Sequence, residues 1–412
     1  MSIDNHSLPL LETFSPADED QLAALVADCQ SSGTAVYPLG GCTSLDYGLP
    51  PSREGHGISL AKLDQVIDFP VRDLTITVQA GITMSSLAET LAPENLQLPI
   101  RVPDPERATI GGVVATNCSG PGRYGYGTIR DYVIGITAVN GSGQLFHGGG
   151  RVVKNVAGYD FCKLLTGSLG TLGLITQLTL KLKPIPPADA TLLVEFQQLA
   201  NVEPTLAWLM ESPAQPYAIQ LFSGPAWAAQ ESLPLTAGWQ LALGLCGSET
   251  ELEWLCSQLE SEFSQHGIKL VTRLQADQQE ELWQQLVQFP VSGDAPLVIQ
   301  ASMVASGISE FIAAAREIDS ECSIQAHAGN GVVIVRFSEY PADGLGGALV
   351  GSLQPIAMAA HGNVTVLSNP GGSDMTTRSV WGSVHSPLPL LDRIKHAFDP
   401  ANVLNPGRFI YT

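Results

Sequence analysis

Hydrophobic and polar positions repeat along the chain with two periods, and the changes of period mark out its elements. Residues 15–33 repeat at helical spacing, with Leu22, Leu25 and Val26 on one face. Ser15 as N-cap, Pro16 at the first helical position, Asp18 in the first turn and Gly33 past the end predict where this helix starts and stops. Residues 35–39 then read as a short strand running straight into Gly40, Gly41, Cys42, Thr43 and Ser44. Strands are also predicted at 66–69, at 74–79 with its two-residue alternation, and at 132–139, the last returning as 144–146 across the hairpin signal Asn140-Gly141-Ser142-Gly143. The clearest strand is 172–182, with Leu174, Thr176, Leu178, Leu180 and Leu182 on one face and Ile175, Gln177, Thr179 and Lys181 on the other.

Pro184, Pro186 and Pro187 make a stiff break, and the texture changes beyond it. Strands are predicted at 191–196, 217–222, 239–245, 297–304, 323–326, 332–337 and 363–367. They alternate with amphipathic helices such as 249–263 and 276–289, the pattern of an antiparallel sheet with helices on one side. The tail is helical over 388–398, stops at Asp399-Pro400 and ends in the turn Asn405-Pro406-Gly407-Arg408. The expected class is α+β, with domains at 1–186 and 187–384 and a C-terminal segment at 385–412.

At 412 residues with 44% apolar and 15% charged side chains, the chain can bury a large core, and disorder or a coiled coil explains it poorly. The net charge of −20 argues against a nucleic-acid binder or a basic membrane patch. Residues 1–186 hold 12 basic and 17 acidic side chains and the remainder 8 and 23, so the basic groups concentrate where the glycines cluster. No basic leader and no apolar run of membrane-spanning length occur, so a cytoplasmic chain with no transmembrane segment is expected. Seven cysteines without C-x-x-C spacing predict no disulfide framework, zinc ribbon or iron–sulfur cluster, and Cys118 and Cys162 read as small core residues.

Three glycine-rich segments, 40–44, 108–125 and 167–173, can present bare backbone N–H groups to an anionic ligand, flanked by Arg101, Arg107, Arg123 and Arg130. Neither a Walker motif nor G-x-G-x-x-G nor G-x-S-x-G is present, so a P-loop enzyme, a Rossmann dehydrogenase and a nucleophile-elbow hydrolase are unsupported, and Ser168 reads as a turn hydroxyl. Lys154-Asn155 and Tyr159-Asp160 read as residues that cap and pin a connection.

Residues 110–139 (IGGVVATNCSGPGRYGYGTIRDYVIGITAV), 154–184 (KNVAGYDFCKLLTGSLGTLGLITQLTLKLKP), the early GGCTS loop and the terminal FDPANVLNPGRF together resemble the vanillyl-alcohol-oxidase/PCMH flavoprotein family. The resemblance is strong over the first 186 residues, good over the last 30 or so and weak between. It implies a two-lobed PCMH-type FAD-binding domain with an α+β cap domain, and the oxidation of small 2-hydroxy acids such as glycolate to glyoxylate in a glycolate-oxidase-type complex. The implied partners are a sister flavoprotein subunit and an iron–sulfur subunit that takes the electrons, with any membrane association peripheral and through those partners.

By the same resemblance, Gly40, Gly41, Cys42, Thr43 and Ser44 form the pyrophosphate loop, and Pro103, Thr109, Gly111 and Gly112 lie along the flavin and its diphosphate. Ala115, Asn117, Ser119, Gly120, Arg123 and Tyr124 continue that wall, Gly170, Thr171 and Gly173 turn the chain before Ile175 near the adenine, and Asn405 and Arg408 return to the isoalloxazine edge. Many relatives attach the flavin through a His in the first loop; Gly41-Cys42 stands here, so non-covalent FAD is expected. Relatives that oxidise substrate alone carry His-x-Gly-Asp-Gly-Asn-x-His, whereas this chain reads His327-Ala328-Gly329-Asn330-Gly331 with Ile334 in the second His position, and only His361-Gly362 near the later paired-histidine segment. No catalytic metal is expected. His327, Arg336 and Arg378 are the candidates for proton transfer and carboxylate binding. Three readings stay open: a flavoenzyme subunit, a flavin-carrying assembly subunit without its own oxidation, and a flavin-free sugar-nucleotide binder.

Overall fold

A computed structural model describes residues 8–150, 158–228, 232–268, 271–383 and 388–410. The chain forms two compact units, one of Met1–Ser119, Thr128–Ile185 and Val384–Thr412, the other of Gly120–Gly127 and Pro186–Ser383.

In the first unit, β1 (Leu10–Phe14), β2 (Ala35–Leu39) and β3 (Gly55–Ser59) make a parallel sheet in the order β1-β3-β2. Next come β4 (Val66–Asp68), β5 (Thr75–Gln79), β6 (Leu96–Gln97), β7 (Val133–Val139), β8 (Leu145–Gly149), β9 (Leu174–Lys181) and β10 (Lys183–Pro184). Five of these form an antiparallel sheet in the order β4-β5-β9-β7-β8, while β10 pairs with β6. The predicted hairpin at 140–143 is the β7–β8 turn, with Gly143 N–H closing it onto Asn140 O.

The first helix is Glu19–Ser32, and its N-cap is Asp18 rather than the expected Ser15. The Asp18 carboxylate accepts from Gln21 N at 2.8 Å, three residues into the helix, a reach unavailable to Ser15 from before the proline. Gly33 ends the helix in the left-handed region, φ 71°. The strand at 172–182 differs from the expected alternation. Thr137 of β7 pairs with Gln177 but Ala138 pairs with Ile175, so Thr176 is an extra residue in β9. That bulge reverses the faces: Leu174 packs with Leu22, Val26, Val36 and Ile58, whereas Ile175 joins Leu178 and Leu180 in the neighbouring core.

The second unit is built on an antiparallel eight-stranded sheet of β11 (Ala188–Phe196), β12 (Ala218–Ser223), β13 (Trp239–Gly247), β14 (Val271–Arg273), β15 (Leu297–Ser302), β16 (Ser323–His327), β17 (Val332–Phe337) and β18 (Asn363–Ser368). The order is β14-β11-β13-β12-β16-β17-β15-β18. Helices on one side only is corrected. Leu193, Ala242, Ala218, Phe222, Val298 and Ile334 on one face are covered by Leu282, Trp283 and Leu286 of the helix Ala276–Gln288, and the alternate residues Leu192, Leu243, Leu221 and Ile299 are buried as well. Both faces are therefore covered.

The segment Gly120–Gly127 belongs to this second unit although its chain neighbours belong to the first. Gly125 N–H donates to Tyr217 O at 2.8 Å, and the Gln220 side-chain amide donates to Pro121 O at 2.8 Å. The Tyr126 and Tyr217 rings lie 5.3 Å apart.

Candidate functional site

In the first unit, β2 delivers the 40–44 loop, and the loop is pressed against residues 107–109. A Cβ on Gly41 would lie 1.7 Å from Arg107 O, and one on Gly40 would lie 2.4 Å from Thr109 Oγ1, so bare glycine is a steric requirement at both positions. The Arg107 guanidinium donates to Gly41 O at 3.3 Å, which places a cation at the loop. Cys42 turns through the left-handed region at φ 57°, the kind of turn that lets successive N–H groups face one anion. Among the described residues, the N–H groups of Gly41, Cys42, Thr43 and Ser44 donate no hydrogen bond. Four neighbouring donors beside an arginine suit a diphosphate.

Thr109 caps the helix Ile110–Thr116 by accepting from Gly112 N at 3.3 Å, and Gly111 N–H donates to Ala80 O at 2.8 Å, which seats this helix against the end of β5. Asn117 ends it in the left-handed region, φ 56°. Two carbonyls of the same helix hold the 167–173 turn: Gly167 N–H donates to Val114 O and Leu169 N–H to Ala115 O, both at 2.9 Å. Gly170 lies against Pro38 of β2, where a Cβ would stand 2.6 Å from the ring. Ser168, beneath this turn, is 4% exposed and its hydroxyl has no hydrogen-bond partner. An orphaned polar atom in a buried turn fits a site built for a polar ligand.

The tail closes the arrangement from the other side of β2. Val36 N–H donates to Val403 O at 2.7 Å and Asn405 N–H to Val36 O at 2.8 Å, so residues 403–405 run alongside β2 in parallel. The Asn405 side chain donates to Leu169 O at 2.6 Å. The buried Arg408 guanidinium donates to Leu45 O and Tyr47 O, and burial pulls its pKa below the ordinary arginine value against the opposing field of Asp46. Arg408 thus ties down the chain just after the glycine loop.

The structure brings residues 40–44, Thr109, Gly111, Gly112, Ala115, Asn117, Gly170, Thr171, Asn405 and Arg408 into one connected set. Ile175 and Gly173 lie in the adjoining strand and its approach, Ile175 being buried in the core. Ser119 Oγ accepts from Ile129 N at 3.1 Å, and Pro103 is half-buried. Gly120, Arg123 and Tyr124 belong to the second unit, where the Tyr124 ring lies 2.4 Å from the place a Cβ would take on Gly329. Asp160 caps the helix Phe161–Leu165 and pairs with Lys163 at 3.0 Å, while Lys154 and Asn155 lie outside the described residues. Burial pushes the Cys162 thiol up to about 11. Sequence reasoning missed the pairing of Lys395 with Asp399 beneath the tail; its only signal is an i,i+4 opposite-charge spacing across the end of the predicted helix.

The three candidates for substrate chemistry do not form one site. His327 ends β16 opposite Val332, whereas Arg336 sits opposite Ser323, four residues away and so about 13 Å along the strand. The Arg336 guanidinium rests on the Phe289 ring and donates to Ser292 Oγ. Arg378 is exposed on the helix Thr377–Trp381. His327 is buried with no partner on Nδ1, and burial, aided by the charge of Arg123, pulls its pKa down to about 3. Its strand neighbours Gln220 and Gln325 are linked by an amide hydrogen bond at 3.1 Å. These neutral amides and a nearby cation do not suit a divalent ion, which calls for anionic oxygen, thiolate or further imidazole donors. Among the described residues, no three His, Cys, Asp or Glu side chains cluster as metal ligands, and no helix is long and apolar enough to cross a membrane.

The FAD binding domain family matches residues 12–149, and the C-terminal domain of FAD-linked oxidases matches residues 185–365 and 385–409, half of the chain. This chain belongs to the FAD-linked oxidases, the family that the fold and the loop arrangement define. It is similar to glycolate oxidase subunit GlcD of Bacillus subtilis (strain 168), at 30% identity over 52% of this chain and 45% of that protein. Glycolate oxidase subunit GlcE of Escherichia coli (strain K12) is 32% identical over 50% of this chain and 55% of its own length. The mitochondrial cytochrome-type D-lactate dehydrogenase of Arabidopsis thaliana is 27% identical over 96% of this chain and 72% of its own. The chain spans about half the length of the two glycolate oxidase subunits. The solved structure of p-cresol methylhydroxylase with substrate bound shares the fold, with a TM-score of 0.74 at 16% identity over 99% of this chain and 90% of that one. A PCMH-type FAD-binding fold with an α+β second domain is therefore established, with FAD as the cofactor of the family.

Proposed function

We propose that this chain is the FAD-carrying subunit of a glycolate-oxidase-type assembly that oxidises small 2-hydroxy acids, glycolate to glyoxylate, and passes the electrons to a separate acceptor. One observation carries the reading: the N–H groups of Gly41, Cys42, Thr43 and Ser44 are left without an acceptor beside Arg107 among the described residues, in a loop held by the capped helix, the 167–173 turn and the tail. In this reading residues 40–44, Thr109, Gly111 and Gly112 hold the diphosphate. Pro103, Ala115, Asn117, Ser119, Gly170, Thr171, Gly173 and Ile175 line the rest of the cofactor, and Asn405 and Arg408 brace its end. Residues 1–186 with the 385–412 tail make the flavin domain and 187–384 the substrate-side domain. Bound FAD supplies the two-electron acceptor for the hydrogen leaving the alcohol carbon. Burial raises the Cys42 thiol pKa, which weakens it as a nucleophile and supports non-covalent retention.

Relatives named glycolate oxidase subunits and D-lactate dehydrogenase support the substrate class and a sister flavoprotein subunit, and the lack of cluster-ligand cysteine spacing in this chain supports a separate iron–sulfur subunit. The separation of His327 from Arg336 favours a second reading, in which this chain carries FAD while the sister subunit oxidises the substrate. Anaerobic mixing of the FAD-loaded chain with glycolate and D-lactate separates the two. Rapid bleaching of the flavin bands by the chain alone supports oxidation on this subunit, and bleaching only after a partner is added supports the second reading. A chain that takes up no FAD on reconstitution overturns both.

A further inference from the structure

Lys395 and Asp399 form an ion pair of 2.6 Å inside the first unit, Lys395 being 6% exposed and Asp399 1%. The ammonium donates three hydrogen bonds: to Asp399 Oδ2, to Thr171 O at 2.9 Å and to Leu404 O at 3.0 Å. The carboxylate accepts from Val403 N at 3.0 Å on Oδ1 and from Leu404 N at 2.7 Å on Oδ2. The β7–β8 turn presses on the same carboxylate. Gly141 N–H donates to Phe398 O at 2.9 Å, and a Cβ on Gly141 would lie 2.3 Å from Asp399 Oδ1.

One buried cation therefore joins the 167–173 turn to the strand-like stretch that runs beside β2, and β2 carries the 40–44 loop. A pair this deeply desolvated is held only where its geometry is complete, and here all three ammonium protons and both carboxylate oxygens are engaged. We infer that Lys395 and Asp399 are positioning residues for the flavin site, fixing the turn and the tail relative to β2 so that the loop amides stand where the cofactor needs them. This rests on the FAD reading of that loop.

The decisive variant is K395M/D399L, which removes both charges together and leaves neither buried alone. Its apoprotein, in which Thr171 O, Leu404 O, Val403 N–H and Leu404 N–H lose these partners, should melt below wild type yet stay folded at the titration temperature, while the FAD dissociation constant, read from flavin fluorescence on titration, rises about tenfold or more and the visible circular dichroism of bound flavin changes. Wild-type affinity and an unchanged flavin spectrum in this variant would overturn the inference. G141A is the second arm: it displaces the carboxylate without altering charge and should weaken FAD binding in the same direction, and if the double variant does not fold, unaltered affinity in G141A is the overturning result. On the wild-type protein, FAD should slow amide exchange at Val403, Leu404 and residues 168–173 together, and exchange there indifferent to FAD would count against the coupling. Wild-type protein that takes up no FAD fails the cofactor reading itself.

Discussion

At the scale of single residues, two positions decide whether the site can form and how the second unit responds to pH. Gly41 tolerates no Cβ, because Arg107 O stands 1.7 Å from where it would be. Gly41→Ala should force the 40–44 loop away from residues 107–109, cost about 1–3 kcal/mol as overpacking does, and yield protein without flavin absorbance after reconstitution. His327 makes the opposite kind of prediction. In the folded chain its pKa lies at about 3, against an ordinary 6.5, so as pH drops the unfolded chain takes up a proton that the folded chain refuses. The stability from this residue is complete above pH 6.5 and is lost progressively as pH falls from there toward 3. His327→Asn should remove this pH dependence, so that the wild-type advantage in unfolding free energy shrinks as pH falls across that window, measured by denaturant titration at successive pH values. A parallel slope in both proteins would refute the assignment. Neither effect is visible in the sequence, since a glycine in a loop and a histidine at a strand end look ordinary until the residue opposite them is known.

At the scale of elements, the caps separate structural from functional roles. Ser248 caps the helix Glu249–Gln265 in a reciprocal capping box with Glu251, and Thr109 caps Ile110–Thr116 beside the glycine loop. Ser248→Ala and Thr109→Ala should each cost about 1 kcal/mol of stability, but only Thr109→Ala should also raise the FAD dissociation constant. Equal FAD affinity in both would place Thr109 outside the site. Most elements were legible from pattern alone: the strand over 332–337 matches β17, and the predicted tail helix is Leu388–Phe398. The exceptions have identifiable causes. The alternation over 172–182 fails at the Thr176 bulge, which depends on the partner strand β7. The first helix starts at the carboxylate that reaches its third N–H, not at the serine before the proline. The three-residue β14 carries too little local signal to stand out, whereas the helix Ile308–Ile318, with Ile308, Phe311, Ile312 and Ala315 buried at helical spacing, was legible in the sequence and went unread.

At the scale of the molecule, the returning tail belongs to the first core as much as to the site. Val403 and Leu404 are fully buried with Val36, Ile58 and Leu174. A chain ending at residue 383 should lose this packing, the neighbouring edge of β2 and Arg408 together. It should therefore be degraded by dilute protease under conditions that leave the full chain intact; comparable resistance would mean the tail is dispensable to the first unit. The net charge of −20 makes any contact with a basic partner surface salt-sensitive.

The sequence by itself determined the glycine segments, the domain texture on either side of the 184–187 prolines and the family resemblance, because turn chemistry and hydrophobic period are properties of neighbouring residues. Tertiary structure alone decided which of the candidates meet. It placed the 40–44, 107–112 and 167–173 segments beside the tail and put Gly120–Gly127 in the second unit. It also set His327 and Arg336 at opposite ends of a strand pair and turned an unremarkable lysine of the tail helix into the buried link between two loops. Those outcomes depend on contacts between residues up to several hundred positions apart, whose energies arise only when the chain closes and water is excluded from between them.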